Sequence, residues 1–451
     1  MSSAAAGPRA GSFNTFLLVP ILLFFGLLIL AVLRSPSLMS SSGVGSAEIV
    51  VAPLILSTYA LMATALAGRA TVDLSIGPLI GFINVTLIQL AAADYIASPI
   101  GVFAYALAAG VAYQIVFALI VIWVRVQPII VSLSGFLSLS GINLVILPRP
   151  GGTAPDWMST WGAGTSILTP VLFMVAAATV GWLIFSTTAF FGHLRLMGSD
   201  ERAAYASGVR IGVARVGAHV VAGLFAGLAA LAYTALISSG DPSQGTTYTL
   251  ISVTALVLGG TSLAGGRATV IGSLLGALNL FLIGYVLATF DFGAVQGFVT
   301  DLCYGVVLVL SLLLTVALPY LHRWLRYVSP LLVFVTLGLL FIGVALHATY
   351  DYSTLSPHAG AAQGAVADPT LGAPVLEQVQ EGPSFARSPF ATRIAQLTVL
   401  LLAIVGALRF LVWQANERRV TPLLYFVLGS GAILGAWLLI DSTTFVSKLG
   451  N

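Results

Sequence analysis

An all-α polytopic transmembrane bundle is the fold this sequence predicts, and three observations carry the prediction. Of 451 residues, 58% are hydrophobic and 7% are charged, against about 25% charged in ordinary soluble domains, and the mean hydropathy is +1.04. The apolar residues gather in runs of about 20, the length that crosses a hydrocarbon core of about 30 Å. In one region, Thr254 to Ile283, an apolar helix is broken by Gly259, Gly260, Gly265 and Gly266 and then resumes. A bilayer tolerates such a break only where protein or an aqueous cavity surrounds the freed backbone groups, and broken apolar helices point to a transport path.

Taken in order, the runs place spans near 16–33, 49–66, 76–93, 101–124, 128–147, 167–186, 217–238, 250–260 (short), 269–290 and 298–318, with three more near 330–347, 394–413 and 422–440. The first run is long enough to span and no small-residue cleavage site follows it cleanly, so it is expected to remain as the first transmembrane helix. An odd number of spans with the N-terminus in the cytoplasm puts the C-terminus in the periplasm. The charges agree: Arg9, Arg69, Arg125, Arg195, Arg202, Arg210, Arg215, Arg267, Arg323, Arg326, Arg409, Arg418 and Arg419 fall at or near the inner face, whereas Arg34, Arg149, Arg387, Arg393 and Lys448 fall outside. The basic stretch His322–Arg326 closes the tenth span. Residues 1–327 therefore read as the core, and 328–451 as extra C-terminal helices with an extracytoplasmic loop at 348–393.

The net charge of +3 is too small to suggest a nucleic-acid partner and is explained by basic cytoplasmic loops, with membrane lipid as the main surroundings. Cys303 is the sole cysteine, so no disulfide framework is available within one chain. The histidines His193, His219, His322, His347 and His358 have no metal-ligand spacing and read as incidental. No cofactor or metal is expected.

Between the sixth and seventh spans lies a charged loop, Thr187 to Arg215. Ser199 is expected to cap a short helix there, Asp200 and Glu201 to suit its positive N-terminal end, and Gly208 to terminate it. Ala203, Ala204, Tyr205 and Ala206 then form a small, partly apolar surface suited to a groove on a soluble partner. From composition alone, a solvated connecting loop remains the other reading.

The spacing of this loop, from Gly198 through Ala203 and Ala204 to Gly208, resembles the coupling loop of sugar ABC-importer permeases of the ribose, xylose and autoinducer-2 type. Ala255–Gly266 (ALVLGGTSLAGG) resembles that family's most recognisable stretch. Val72–Gly77 (VDLSIG) is similar to its segment after the second span, and Gln127–Leu133 (QPIIVSL) also fits. Four motifs in order cover about residues 50–320. The resemblance implies ten core helices in the bacterial inner membrane, a second permease subunit (homodimer or heterodimer), a periplasmic solute-binding protein, and a cytoplasmic ABC ATPase that drives alternating access. The chain has no Gly-x-x-x-x-Gly-Lys-Ser/Thr phosphate loop, so ATP hydrolysis belongs to that separate partner and the chain is a transport subunit, not an enzyme. The C-terminal helices depart from the family pattern.

Two readings stand at the candidate translocation-path residues. Asp73 and Ser75 either cap the third span or border the path. Thr261 and Ser262, beside Gly259 and Gly260, either re-satisfy backbone carbonyls at the break or offer weak hydroxyl contacts to a passing solute. Gly223 and Gly227, and Gly272 and Gly276, give small-residue faces for close helix packing. The echo between Leu66–Val72 (LAGRATV) and Leu263–Val270 (LAGGRATV) reads as similar turn chemistry on one face of the membrane.

The leading function is a permease subunit passing a monosaccharide or similar small polar solute from a binding protein to the cytoplasm. The alternative within transport is a branched-chain amino-acid or nucleoside ABC permease. An ion-coupled secondary transporter would normally show ionisable residues inside its spans, and spans two to nine hold almost none. A polytopic membrane enzyme would need a catalytic constellation, and neither His-Glu-x-x-His nor Gly-x-Ser-x-Gly occurs.

Overall fold

The computed structural model describes residues 17–68, 72–164, 167–290 and 295–325, and those through Leu318 belong to one compact unit. The spans expected near 330–347, 394–413 and 422–440, the loop 348–393 and the boundary at 327 lie outside the described residues. Among the described residues there are thirteen α-helices and no strand, only an isolated bridge between Gly151 and Gly240.

Each expected core span coincides with a helix. These are α1 (Leu18–Arg34), α2 (Ser41–Leu66), α3 (Ile76–Ala92), α4 (Pro99–Leu119, continued by a π-turn at Ile120–Val124), α5 (Pro128–Ile146), α7 (Pro170–Ser186), α10 (Ile211–Ile237), α11 (Thr247–Leu258), α12 (Val270–Ala288) and α13 (Gln296–Leu325). Short helices absent from the apolar reading fill the connections: α6 (Asp156–Trp161), α8 (Ala189–Ser199) and α9 (Glu201–Ala206). Among the described residues, five helices have the length and composition to cross a membrane alone, and α7 with α8 makes a pair bent by 75°.

Start signals agree with local chemistry. Ser40 accepts from Gly43 N at the head of α2, Ser98 from Gly101 N at α4, Thr169 from Leu172 N at α7 and Thr269 from Gly272 N at α12. Each satisfies one of the free N–H groups of a first turn.

The centre is α2, buried at every position from Val51 to Leu66, as expected of a helix apolar on all sides. Against it and α4 runs α10, whose Ala218, Ala222, Ala226, Ala229 and Ala230 are wholly buried. Gly223 and Gly227 face α4 so closely that a Cβ on either would stand 2.6 Å from the carbonyl oxygen of Gly110 or Ala106. The small-residue face thus serves packing within the subunit.

The glycine-broken region is not one interrupted helix but an antiparallel hairpin. α11 ends when Gly260, at φ +81°, turns left-handed. Gly260 N then donates to Val257 O at 2.9 Å and Thr261 N to Leu256 O at 3.2 Å, the paired bonds of a Schellman motif. Gly265 and Gly266 are also left-handed, at φ +104° and +73°, and complete the reversal. α12 returns along α11, with Gly272 packed on Gly259 and Gly276 on Ala255.

At the opposite end of the bundle, Asn84 Nδ2 donates to Thr234 Oγ1 at 2.9 Å and to Ser239 O at 3.0 Å. Arg34, closing α1, donates to Thr289 O at 2.8 Å and lies 4.2 Å over the Phe290 ring.

Candidate functional site

Two of the sequence motifs meet at Gly198, the penultimate residue of α8. A Cβ there would stand 2.5 Å from Gly266 N and would strike Leu66 O. One on Gly68 would fall 2.6 Å from Gly198 Cα, and one on Gly265 2.7 Å from Gly198 O. Gly266 N donates to Leu66 O at 3.1 Å. The loop after α2 and the α11–α12 turn, whose sequences echo each other, therefore clasp the root of the α8–α9 segment backbone to backbone.

Beyond this junction, Asp200 rather than Ser199 caps α9. Its Oδ1 accepts from Arg202 N at 2.9 Å and Ala203 N at 3.1 Å. Ser199 instead donates to Arg195 O at 2.9 Å, because it still belongs to the last turn of α8. Gly208, at φ +87°, follows the end of α9 in the left-handed position, as its chemistry predicts. Glu201 reaches Arg215 on α10 at 3.3 Å.

Only part of the expected small surface faces outward. Ala203 and Ala206 are exposed and Tyr205 is 75% exposed, but Ala204 is fully buried against its own subunit. One turn of helix cannot present four consecutive residues to one partner, so Tyr205 is the principal outward group.

The segment joining α2 to α3 holds Asp73 and Ser75, both wholly buried. Ser75 stands at the N-cap position of α3 but makes no side-chain cap bond. Asp73 Oδ1 accepts from Ser75 N at 2.9 Å and from Ser75 Oγ, and Gln114 Nε2 on α4 donates to Oδ2. Gln114 sets its amide nitrogen towards this carboxyl and its Oε1 towards His219 Nδ1 on α10, 2.6 Å away. His219 also lies 4.7 Å from the Phe117 ring. Burial pushes the Asp73 carboxyl above its usual range, and the bonds from Ser75, Gln114 and Ser132 pull it back.

The same segment is tied to two further helices. Leu74 N donates to Ser132 Oγ of α5 at 2.6 Å, and Thr249 Oγ1 of α11 donates to Leu74 O at 3.0 Å. Ser132 comes from the Gln127–Leu133 motif, so that motif too converges here. Buried polar groups must be paired, and this set pairs four helices through one short stretch of chain.

Gln114 was not singled out by the sequence, and His219, read there as incidental, is instead a buried member of this network. Their signal was present: two polar side chains inside long apolar helices are costly unless they meet. His219 also lies one turn from Arg215 on α10, so a polar line runs from Glu201 on α9 through Arg215 and His219 to Gln114, Asp73 and Ser75. Thr261 and Ser262 stand apart from it. The Thr261 hydroxyl is buried with no hydrogen-bond partner among the described residues; it re-satisfies no backbone carbonyl. A cavity of about 800 Å³ lies at this end, lined by Val72, Arg125, Gln127, Ile211, Arg215 and Leu263 among others. Among the described residues no three His, Cys, Asp or Glu side chains converge as metal ligands would.

Comparison with known proteins gives this arrangement its context. Residues 47–316 match the model of a family described as branched-chain amino acid transport system / permease component. The Ribose import permease protein of Escherichia coli (strain K12) is 30% identical over 249 residues, covering 54% of this chain and 76% of that protein. The D-allose transport system permease protein of the same strain is 24% identical, covering 46% and 65%. The Autoinducer 2 import system permease protein of Yersinia pseudotuberculosis serotype O:3 (strain YPIII) is 28% identical, covering 52% and 67%. No solved structure matches the chain.

Proposed function

This chain belongs to the branched-chain amino acid transport system / permease component family, and on that premise we propose that it is the membrane-spanning permease subunit of an ATP-driven importer for a monosaccharide or similar small polar solute. It is a multi-pass membrane transport protein of the bacterial inner membrane, and its similarity to ribose, allose and autoinducer-2 permeases favours a sugar over a branched-chain amino acid.

The observation that carries the mechanism is the mounting of α9. Its root is clasped at Gly198 by two membrane loops, its first residue is paired to Arg215, and its outer face offers Tyr205 and Ala203. In this reading a cytoplasmic ATPase subunit grips that face. Because the root has no slack, displacement of α9 reaches α2, α10 and the α11–α12 turn together. A binding protein delivers the solute at the other end, with the N-terminus in the cytoplasm and the C-terminus in the periplasm. A second permease subunit completes the path, which Asp73, Ser75, Gly259, Gly260, Thr261 and Ser262 border. Residues 1–327 form the transporting core, and 328–451 add a peripheral layer of helices.

Uptake of a labelled sugar panel by cells with and without the chain tests the reading, with labelled leucine alongside. Loss of uptake of one sugar supports it. Unchanged uptake of every sugar, or loss of leucine uptake alone, overturns it.

A further inference from the structure

A cavity of about 990 Å³ opens at the end of the bundle opposite the glycine junction, among the first turns of α2 and α11, the last turns of α10 and α12, and α13. That is the upper end of the roughly 300–1,000 Å³ of small-molecule sites. Three half-buried tyrosines, Tyr248, Tyr285 and Tyr304, come to it from three helices, and Ser46 and Thr247 add hydroxyls. Among the described residues, none that lines it is charged. Of the charged groups at this end, Arg34 donates to Thr289 and Glu48 accepts from Thr169, while Asp241 and Asp301 stand behind Tyr233 and Tyr304 without lining the cavity.

A second feature points to an occupant. Tyr233 of α10 also lines the cavity and meets Tyr248 edge-on, with ring centroids 5.5 Å apart. Its side chain is almost fully buried, and its hydroxyl has no hydrogen-bond partner among the described residues. An orphaned buried hydroxyl costs free energy until something pairs it.

Resting on the reading of the chain as a sugar importer's permease, we propose that this cavity is the entry site for the solute, and that it selects an uncharged polyhydroxylated ring. Tyrosine offers an apolar face with a polar tip, which suits the C–H face and the hydroxyl edge of a sugar. A zwitterionic amino acid would bring two charges to a wall that has no counter-charge, and burying an unpaired charge is expensive. Binding here is weak, because most of the contacts are replaceable hydroxyl exchanges with water.

The full chain carrying Cys303→Ser and Ser46→Cys, reconstituted in lipid nanodiscs, tests the site. The rate at which a charged thiol reagent modifies the new cysteine is followed with D-ribose, D-allose or L-leucine added. At least one sugar is expected to slow modification several-fold and leucine to leave it unchanged, while a Thr187→Cys control at the other end keeps its rate. Adding Tyr248→Phe or Tyr304→Phe should raise the sugar concentration needed for protection by about two- to tenfold, the effect of one hydrogen bond. These conservative variants keep the ring, and elution as a single species checks that they fold. No protection by either sugar, equal protection by leucine, or a cysteine that the reagent never reaches would overturn the proposal. Sugar uptake by cells in the absence of protection would fault the site alone; absence of sugar uptake would fault the functional reading beneath it.

Discussion

Glu201 and Arg215 stand 3.3 Å apart, pinning the first turn of α9 to the first turns of α10, with the Arg215 side chain only 10% exposed. The pair is partly buried, so its removal lies between the small effect of a surface ion pair and the large effect of stranding a buried charge.

Arg215→Met should therefore lower stability by about 1–3 kcal/mol, and should uncouple ATP hydrolysis from uptake in the assembled transporter. The exchange Glu201→Arg with Arg215→Glu should recover part of the coupling. Thermal unfolding in detergent and the ratio of ATP consumed to solute imported are the two measurements. A double variant no better than the worse single one would show that the attraction between the two charges is not what matters.

The two glycines flanking α9 should fail for different reasons. At Gly208 a Cβ meets nothing within 4 Å, but φ is +87°, so Gly208→Ala should cost only about 1 kcal/mol of conformational strain. Gly198 lacks room altogether, and Gly198→Ala should separate the two clasping loops and abolish transport. Uptake rates of the two variants at matched membrane abundance decide this; equal impairment would contradict it.

Tyr205→Ala and Ala204→Glu should also part company. The first removes an exposed ring and is expected to weaken co-purification of the ATPase while leaving thermal stability within about 0.5 kcal/mol, as for surface changes in general. The second forces a carboxylate into a fully buried position and should destabilise the protein itself by several-fold more. Pull-down yield set against unfolding temperature separates the two outcomes.

In the buried chain Asp73–Gln114–His219, Gln114→Leu leaves a carboxylate oxygen and an imidazole nitrogen without their partner, a loss of about 2–4 kcal/mol from two stranded groups. Gln114→Glu should be worse, since it sets a second carboxylate against Asp73. Comparing the unfolding midpoints of the two variants tests the assignment of the amide orientation, which predicts that order and not its reverse.

Truncation after Tyr327 examines the proposed division at 327. Retained membrane insertion and uptake would mark the remainder as peripheral, whereas joint loss of assembly and transport would make it integral.

The helices were legible because lipid-length apolar runs have few other solutions, and Gly208 announced a helix end by chemistry alone. The cap of α9 was misread by one position because Ser199 and Asp200 are both good caps, and only the end of α8 decides between them. Ala203 and Ala204 are indistinguishable in composition, yet helix phase sends one outward and the other in. Gln114 and His219 lie 105 positions apart, so nothing local reveals that they pair. The tyrosines of the cavity come from separate helices, and only the folded chain brings them together.

α4 and α10 touch backbone to backbone at Gly110 and Gly223, with no side chain between them to yield. Such a pair behaves as a stiff rod. Arg215 sits near one tip and Tyr233 about 27 Å further along the same axis, at 1.5 Å per residue, so under the proposed coupling a push received at the first would be carried towards the second. A single methyl group added at the crossing would act as a spacer, and the stroke would be spent in tilting one helix away from the other.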